Sequence, residues 1–540
     1  MKIINRFFKI LLWTIIAYGT VAHAADPSQY GTPFSGVPDP QDASIYQVNM
    51  RCFSSTRNFQ GVIQRLDKIK ALGVNVLYLM PFYPVGTLKS VNSPYCEKDY
   101  VTIGSEFGTL SDLRQLVDSA HSLGMAVIFD WVANHTAWDH TWITPHKSWY
   151  LQDGTGKILS PPGQSWNDVA QLNFSNDTMV NAMIDAMRFW VFTANCDGFR
   201  CDYAAGPPDA FWTKAISNLR SITTHKLIIF AEGDHSANYT SGFDYNFSWN
   251  FYNTVKQINS GSTATLIDNS NAYDYNGATG SQQIVRWLSN HDIYGSEGSP
   301  YTVFGGKTAV LANFVVSAYM KSVPFIYNGM EVGDIVPHPF PFTGAVIDWT
   351  QDSTVTPEMT KIILFRDSSL AIRRGTMKSY TSTNVCAFKK VSGKDSVFVF
   401  VNLRNAVKTF TLPSAIAYAT VKDAFTGTSD TLGTIISLTP YEYRVFTIES
   451  TTGINSYTMS DEDIKIYPNP TENSVINIKI SDSYKNSKID IFDSLGRIVY
   501  QNILSDQLST IDISAWTKGI FIVKISSVTN KVLTQKLLVD

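Results

Sequence analysis

The run Asn195-Cys196-Asp197-Gly198-Phe199-Arg200-Cys201-Asp202 decides how this chain is read. It sets an arginine and a carboxylate two residues apart at the end of a short apolar segment. Alternate side chains of a strand share a face, so Arg200 and Asp202 are expected to point the same way. A guanidinium beside a carboxylate favours the ionised form, which a carboxylate nucleophile needs. Taken alone, the run also fits an ordinary Arg-Asp pair on a strand.

Other strand-like runs end in the same fashion. Residues 226–231 run into Glu232, residues 284–289 into Asn290-His291-Asp292, and residues 125–129 into Asp130, Asn134 and His135. Four apolar strands that each end in acidic, amide, imidazole or guanidinium groups, with helices between them, predict a (β/α)8 barrel. Its site would lie at the C-terminal strand ends.

The segments 130–136, 198–202, 231–232 and 289–292 resemble, in order, the four short regions of glycoside hydrolase family 13, the α-amylase family. Residues 73–81, Gly-Val-Asn-Val-Leu-Tyr-Leu-Met-Pro, are similar to the second barrel strand of that family. Residues 93–100 resemble the segment that carries its sugar-stacking tyrosine, here Tyr95.

This resemblance implies a secreted retaining hydrolase of α-1,4-glucosidic bonds in starch-like α-glucans. Asp202 would be the nucleophile, Glu232 the acid/base and Asp292 the ionised stabiliser of the sugar. Arg200 would orient Asp202, His135 and His291 would donate to sugar hydroxyls, and Tyr95 would lie under the ring. The apolar strand before Glu232 is expected to raise its pKa and keep its proton available.

The same resemblance implies Ca2+, held by Asn134 with help from Asp168 and Asn173, since oxygen donors suit that ion. One departure weakens both the calcium and the substrate assignment. Many α-amylases carry Lys-His shortly after the nucleophile, where this chain has Ala204-Ala205-Gly206. An α-glucosidase or glucanotransferase of the same family is the alternative. A non-catalytic starch-binding surface protein is disfavoured by the intact trio of carboxylates.

Around the motifs, the α/β pattern is that of a (β/α)8 TIM barrel over residues 25–375. Strand one is expected at 44–48, and helices at 59–72, 110–123, 179–193, 209–222, 307–321 and 357–372. The Trp-, Pro- and Gly-rich stretch at about 137–174 breaks the periodicity, and a long irregular insertion is usually functional. The resemblance makes it a small B domain after strand three. Residues 376–450 switch to short β-runs and predict a β-sandwich C domain, followed by a linker at 451–463.

Residues 464–540 form a further β pattern. Their Tyr467-Pro468-Asn469-Pro470, Leu495-Gly496-Arg497, Gly519 and Lys536 resemble the C-terminal sorting domain of the type IX secretion system. That implies the outer-membrane type IX machinery as partner and a secreted or cell-surface location.

Residues 1–24 read as a signal peptide: Lys2, Arg6 and Lys9 flank an apolar run that is too short to span a bilayer, before Ala22-His23-Ala24. No transmembrane segment is expected after its removal. A net charge of −3 with 16% charged residues offers no basic patch for nucleic acid. Five cysteines leave at least one thiol unpaired, and inert buried thiols are expected.

Overall fold

A computed structural model describes residues 25–414, 416–448, 464–482, 485–526 and 532–540. The expected signal peptide and linker lie outside the described residues. Eight parallel strands close into a barrel in chain order: Ile45–Val48, Val76–Leu79, Ala126–Trp131, Gly198–Cys201, Ile228–Ala231, Tyr245–Phe247, Gln283–Arg286 and Val323–Tyr327. Every residue of these strands is buried. That is the pattern of a parallel sheet covered by helices outside and packed side chains inside.

The helices wrap the barrel where the periodicity places them, with two differences. The helix expected at 59–72 is two, Phe59–Ile63 and Leu66–Ala71. The break falls at Arg65, whose guanidinium lies over the Trp349 ring, 3.7 Å from its centroid. The helix expected at 357–372 is also two, Val355–Ser368 and Leu370–Arg374. Ser369 leaves helical geometry between them and caps the second by accepting from the Ile372 N–H at 3.2 Å.

The insertion after the third strand is tied down by a short antiparallel pair, His135–Ala137 with Val169–Gln171. After the barrel, a six-stranded sheet and a two-stranded one enclose a core that includes Phe398, Phe400, Phe410 and Leu438. Alternate residues Cys386, Phe388, Val399 and Val401 face the other way and join the barrel's core. Strand periodicity thus welds this sheet to the barrel.

The chain divides into two compact units, the described residues 25–448 and 464–540. The second stacks a three-stranded sheet on a four-stranded one around Ile476, Ile478, Ile489, Ile491, Val523 and Leu537. All five cysteines are free and buried. Among the described residues no helix is long and apolar enough to cross a membrane.

Candidate active site

Register brings the site together. Asp130 pairs with Arg200 across the third and fourth strands, and Cys201 pairs with Ala231 across the fourth and fifth. The next residue on each of the latter two, Asp202 and Glu232, therefore emerges at one height beside the other. The Asp202 N–H donates to the Trp131 carbonyl and the Glu232 N–H to the Cys201 carbonyl, both at 2.9 Å. Gly198 makes this approach possible, because a Cβ there would sit 1.9 Å from the Ile228 carbonyl oxygen at φ +145°.

Arg200 is buried and holds three carboxylates at once. Its Nη1 donates to Asp130 Oδ1 at 2.8 Å and to Asp202 Oδ1 at 2.9 Å, and its Nη2 lies 3.1 Å from Glu232 Oε1. Asp130 also accepts from the Tyr78 hydroxyl at 2.5 Å and the Tyr95 hydroxyl at 3.0 Å. The Tyr95 oxygen lies 2.7 Å from His291 Nε2, and the Gln47 amide nitrogen sits 2.9 Å from His291 Nδ1. The amide donating to Nδ1 leaves the ring proton on Nε2, so it points at Tyr95, whose own proton points at Asp130.

One cation facing three carboxylates, Asp130 buried and Asp202 and Glu232 half-buried, reverses two expectations. Burial and the neighbouring Glu232 carboxylate push Asp202 well above the ordinary carboxylate range, against the pull of Arg200. Burial also pushes Glu232 upward, but Arg200 and the Tyr203 backbone N–H, 2.7 Å from Oε2, outweigh it and hold Glu232 below its ordinary value. Asp202 and Glu232 meet across the same guanidinium. One cation cannot balance three carboxylates held around it, so the resting pair carries one proton between them.

These groups open into a cavity of about 690 Å³ lined by Tyr95, His135, Asp202, Glu232, His291 and Asp292. Asp292 is 49% exposed and stands at the mouth, its N–H capped by Asn290 at 2.9 Å. His135 Nε2–H donates to the Tyr95 carbonyl, 3.1 Å away, and burial lowers the ring's pKa to about 4, so it is neutral. All seven residues expected for catalysis and sugar binding are therefore together.

The three residues expected to hold calcium are not. Asp168 lines the large cavity, whereas Asn134 and Asn173 line a separate one of about 320 Å³. The Asn134 side-chain oxygen accepts from Gln171 at 3.2 Å, and that of Asn173 accepts from the Ser175 N–H at 3.1 Å. No carboxylate lines the second cavity, and no cluster of three or more His, Cys, Asp or Glu residues suits a metal among the described residues. This donor set does not fit calcium.

Sequence reasoning missed several lining residues. Tyr203 adopts φ +42°, which aims its N–H at Glu232, and its ring meets Trp166 of the insertion edge-on at 5.1 Å. Trp249 follows the sixth strand, and Phe340 follows the eighth. Only position just past a strand end marks Tyr203 and Trp249, and nothing local marks Trp166 or Phe340.

The model of the α-amylase catalytic domain matches residues 53–384, more than half of the chain. The chain belongs to the α-amylase family, glycoside hydrolase family 13. The model of the secretion system C-terminal sorting domain matches residues 465–540, so this α-amylase family member also carries a type IX sorting module.

The α-amylase MalA of Haloarcula japonica is 26% identical over 310 residues, which span 54% of this chain and 44% of that protein. The α-1,4-glucan:maltose-1-phosphate maltosyltransferase of Rhodospirillum rubrum is 26% identical over 69% of this chain and 59% of that protein. The fold matches a solved α-amylase of Lactobacillus plantarum with a TM-score of 0.68 at 23% identity, covering 76% of this chain and 99% of that one.

Proposed function

We propose that this family member is an exported α-amylase that hydrolyses α-1,4-glucosidic bonds of starch-like glucans with retention. The observation that carries the reading is the placing of Asp202 and Glu232 at one height on adjacent strand ends, bridged by Arg200 in a ring-lined cavity. Retaining cleavage asks for two carboxyls on opposite sides of the scissile bond, about 5 Å apart.

In the reaction, a glucosyl ring lies on Tyr95 with its hydroxyls at His135, His291 and Asp292. The ring separates the pair, and their shared proton passes to Glu232. Glu232 gives that proton to the glycosidic oxygen as the Asp202 carboxylate attacks C1 and the C1–O bond breaks. Glu232, now anionic, takes a proton from water, whose oxygen attacks C1 and releases Asp202. Asp130 and Arg200 never touch sugar carbon in this scheme. They fix the charge and direction of Asp202.

One observation favours transfer to a sugar as a second reading. The Tyr203 and Trp166 rings form an aromatic ledge on the far side of Glu232, where an acceptor would rest, and the charged Lys-His is replaced by Ala204-Ala205. The product profile on soluble starch decides. Rapid loss of polymer size with α-configured oligosaccharides, absent in Asp202→Asn, supports the amylase. Longer transfer products support the second reading, and glucose alone supports an α-glucosidase of the same family. Starch bound without turnover leaves a binding protein. The sorting module supports export through the type IX machinery to the cell surface or medium.

A further inference from the structure

Arg51 lies outside the constellation above, yet it is a fully engaged buried cation at the rim of the same cavity. Its side chain is 2% exposed. Each of the five N–H donors of a guanidinium has a partner here. Nη1 donates to the Asn92 carbonyl at 2.7 Å and the Pro341 carbonyl at 3.1 Å. Nη2 donates to the Asn92 side-chain oxygen at 3.3 Å and to Glu106 at 2.6 Å, and Nε donates to Glu106 at 3.1 Å.

These partners belong to two different loops, one after the second strand and one after the eighth. Both loops are bent at the clamp. Lys89, Asn92 and Phe342 all adopt positive φ, at 60°, 61° and 71°. Such residues cost energy and persist only where the surroundings over-determine them. Next to the clamped atoms stand Val91 and Phe340, 52% and 50% exposed, and both line the cavity. Phe342 packs edge-on against His291 at 5.9 Å, which ties the same rim to the sugar-binding imidazole.

Position around the barrel gives this rim its direction. Arg51 follows strand one, and its loops follow strands two and eight, whereas Tyr203 and Glu232 follow strands four and five on the opposite side. The rim therefore lies beyond Tyr95 and His291, on the side away from the leaving group. A glucan whose cleaved unit rests on Tyr95 would run its next donor unit toward Val91 and Phe340. Two apolar side chains there suit the C–H face of a sugar ring.

We infer that Arg51 is a positioning residue that holds Val91 and Phe340 as a contact for the second donor glucosyl unit, so that the rim sets donor chain length. The inference rests on the α-glucosidic reading above. The test is kcat and KM on p-nitrophenyl α-glycosides with one, two and three glucosyl units, for wild type, Arg51→Ala and Phe340→Ala. Phe340 is half exposed, so its truncation leaves the fold intact.

Both variants are expected to lose about ten-fold in kcat/KM, through KM, on the two- and three-unit donors, with less than two-fold loss on the one-unit donor. Where the one-unit glycoside turns over too slowly, its inhibition constant takes the place of KM. Equal losses across the series, or no loss, overturn the inference. A wild-type chain that cleaves neither these glycosides nor starch overturns the parent reading and takes this one with it.

Discussion

Two buried arginines in one barrel do opposite things. Arg286 ends the seventh strand and meets a single carboxylate, Asp274, with Nη2 at 2.9 Å and Nε at 3.1 Å, both side chains fully buried. Its other donors go to the Met320 carbonyl and Asn271, while Ser248 donates to the second Asp274 oxygen at 2.6 Å. Charge is matched one to one and every guanidinium nitrogen has a partner, which is what a structural pair requires. Arg200, three strands away, meets three carboxylates, and the excess negative charge opens into a cavity. Both guanidiniums are buried. What marks the functional cluster is unmatched charge facing space for a ligand.

The largest effect follows from removing the carboxylate that reacts. Asp202→Asn is expected to lower kcat on soluble starch by at least about a thousand-fold, on the scale of losing a nucleophile, while starch binding persists. Retained turnover would place Arg200's cluster with the structural pair. Glu232→Gln is expected to cost about 10²- to 10⁴-fold on starch, and less on an aryl glycoside whose leaving group needs no proton.

The pH profile sharpens the same contrast. The productive pair carries one proton. Asp202 lies above its ordinary value of 3.8, so that proton is lost, and kcat/KM falls, only as pH rises beyond the usual carboxylate range. Glu232 lies below its ordinary value of 4.5, so a second proton enters, and activity falls again, only at lower pH. A bell is expected, with its alkaline limb absent in Glu232→Gln. A single-limbed profile in the wild type would show that the two do not share a proton.

Much of this cluster was legible in the chain because strand periodicity is short. Arg200 and Asp202 share a face whatever the tertiary fold, and apolar runs ending in Glu232 and His291-Asp292 mark strand ends. Charge balance was not legible. It depends on Asp130 lying in register with Arg200, a pairing between residues 70 apart in sequence. The Arg200–Asp202 spacing alone therefore suggested an ionised Asp202.

The sixth strand, Tyr245–Phe247, was invisible for a related reason. It is three residues long with a buried Asn246 at its centre, held by the Asn238 amide at 2.9 Å, so no apolar run announces it. Asp168 shares the motif neighbourhood of Asn134 and Asn173 but not their cavity, since the insertion's antiparallel pair sends Asp168 and Asn134 to opposite ends.

On the structural side of the comparison, Arg286→Met should cost about 3–5 kcal/mol in unfolding free energy, because it leaves Asp274 buried and unpaired. Arg286→Met with Asp274→Leu should recover most of that loss. Activity per folded molecule should stay at the wild-type level in both, measured by denaturant titration alongside starch hydrolysis. A double variant as unstable as the single one would mean that the Ser248 and Asn271 contacts, rather than charge matching, hold this region.

The smallest effect tests whether unmatched charge always signals function. Glu97 is fully buried, two residues after Tyr95, and neither carboxylate oxygen finds a partner beyond its own backbone amide. Burial, with Asp202 and Asp130 nearby, pushes it well above its ordinary value of 4.5. A carboxyl raised in the folded state contributes its stability below pH 4.5 and loses it as pH rises from there toward the folded pKa. Glu97→Gln removes that loss while keeping the shape. The variant should therefore melt at a higher temperature than the wild type at pH 7, with the difference shrinking to nothing as the pH is lowered through 4.5. Activity should change little, because Glu97 lines no part of the cavity. A variant that is more stable yet inactive would move Glu97 into the functional cluster, and would show that one unmatched carboxylate behind Tyr95 serves the same chemistry as the three around Arg200.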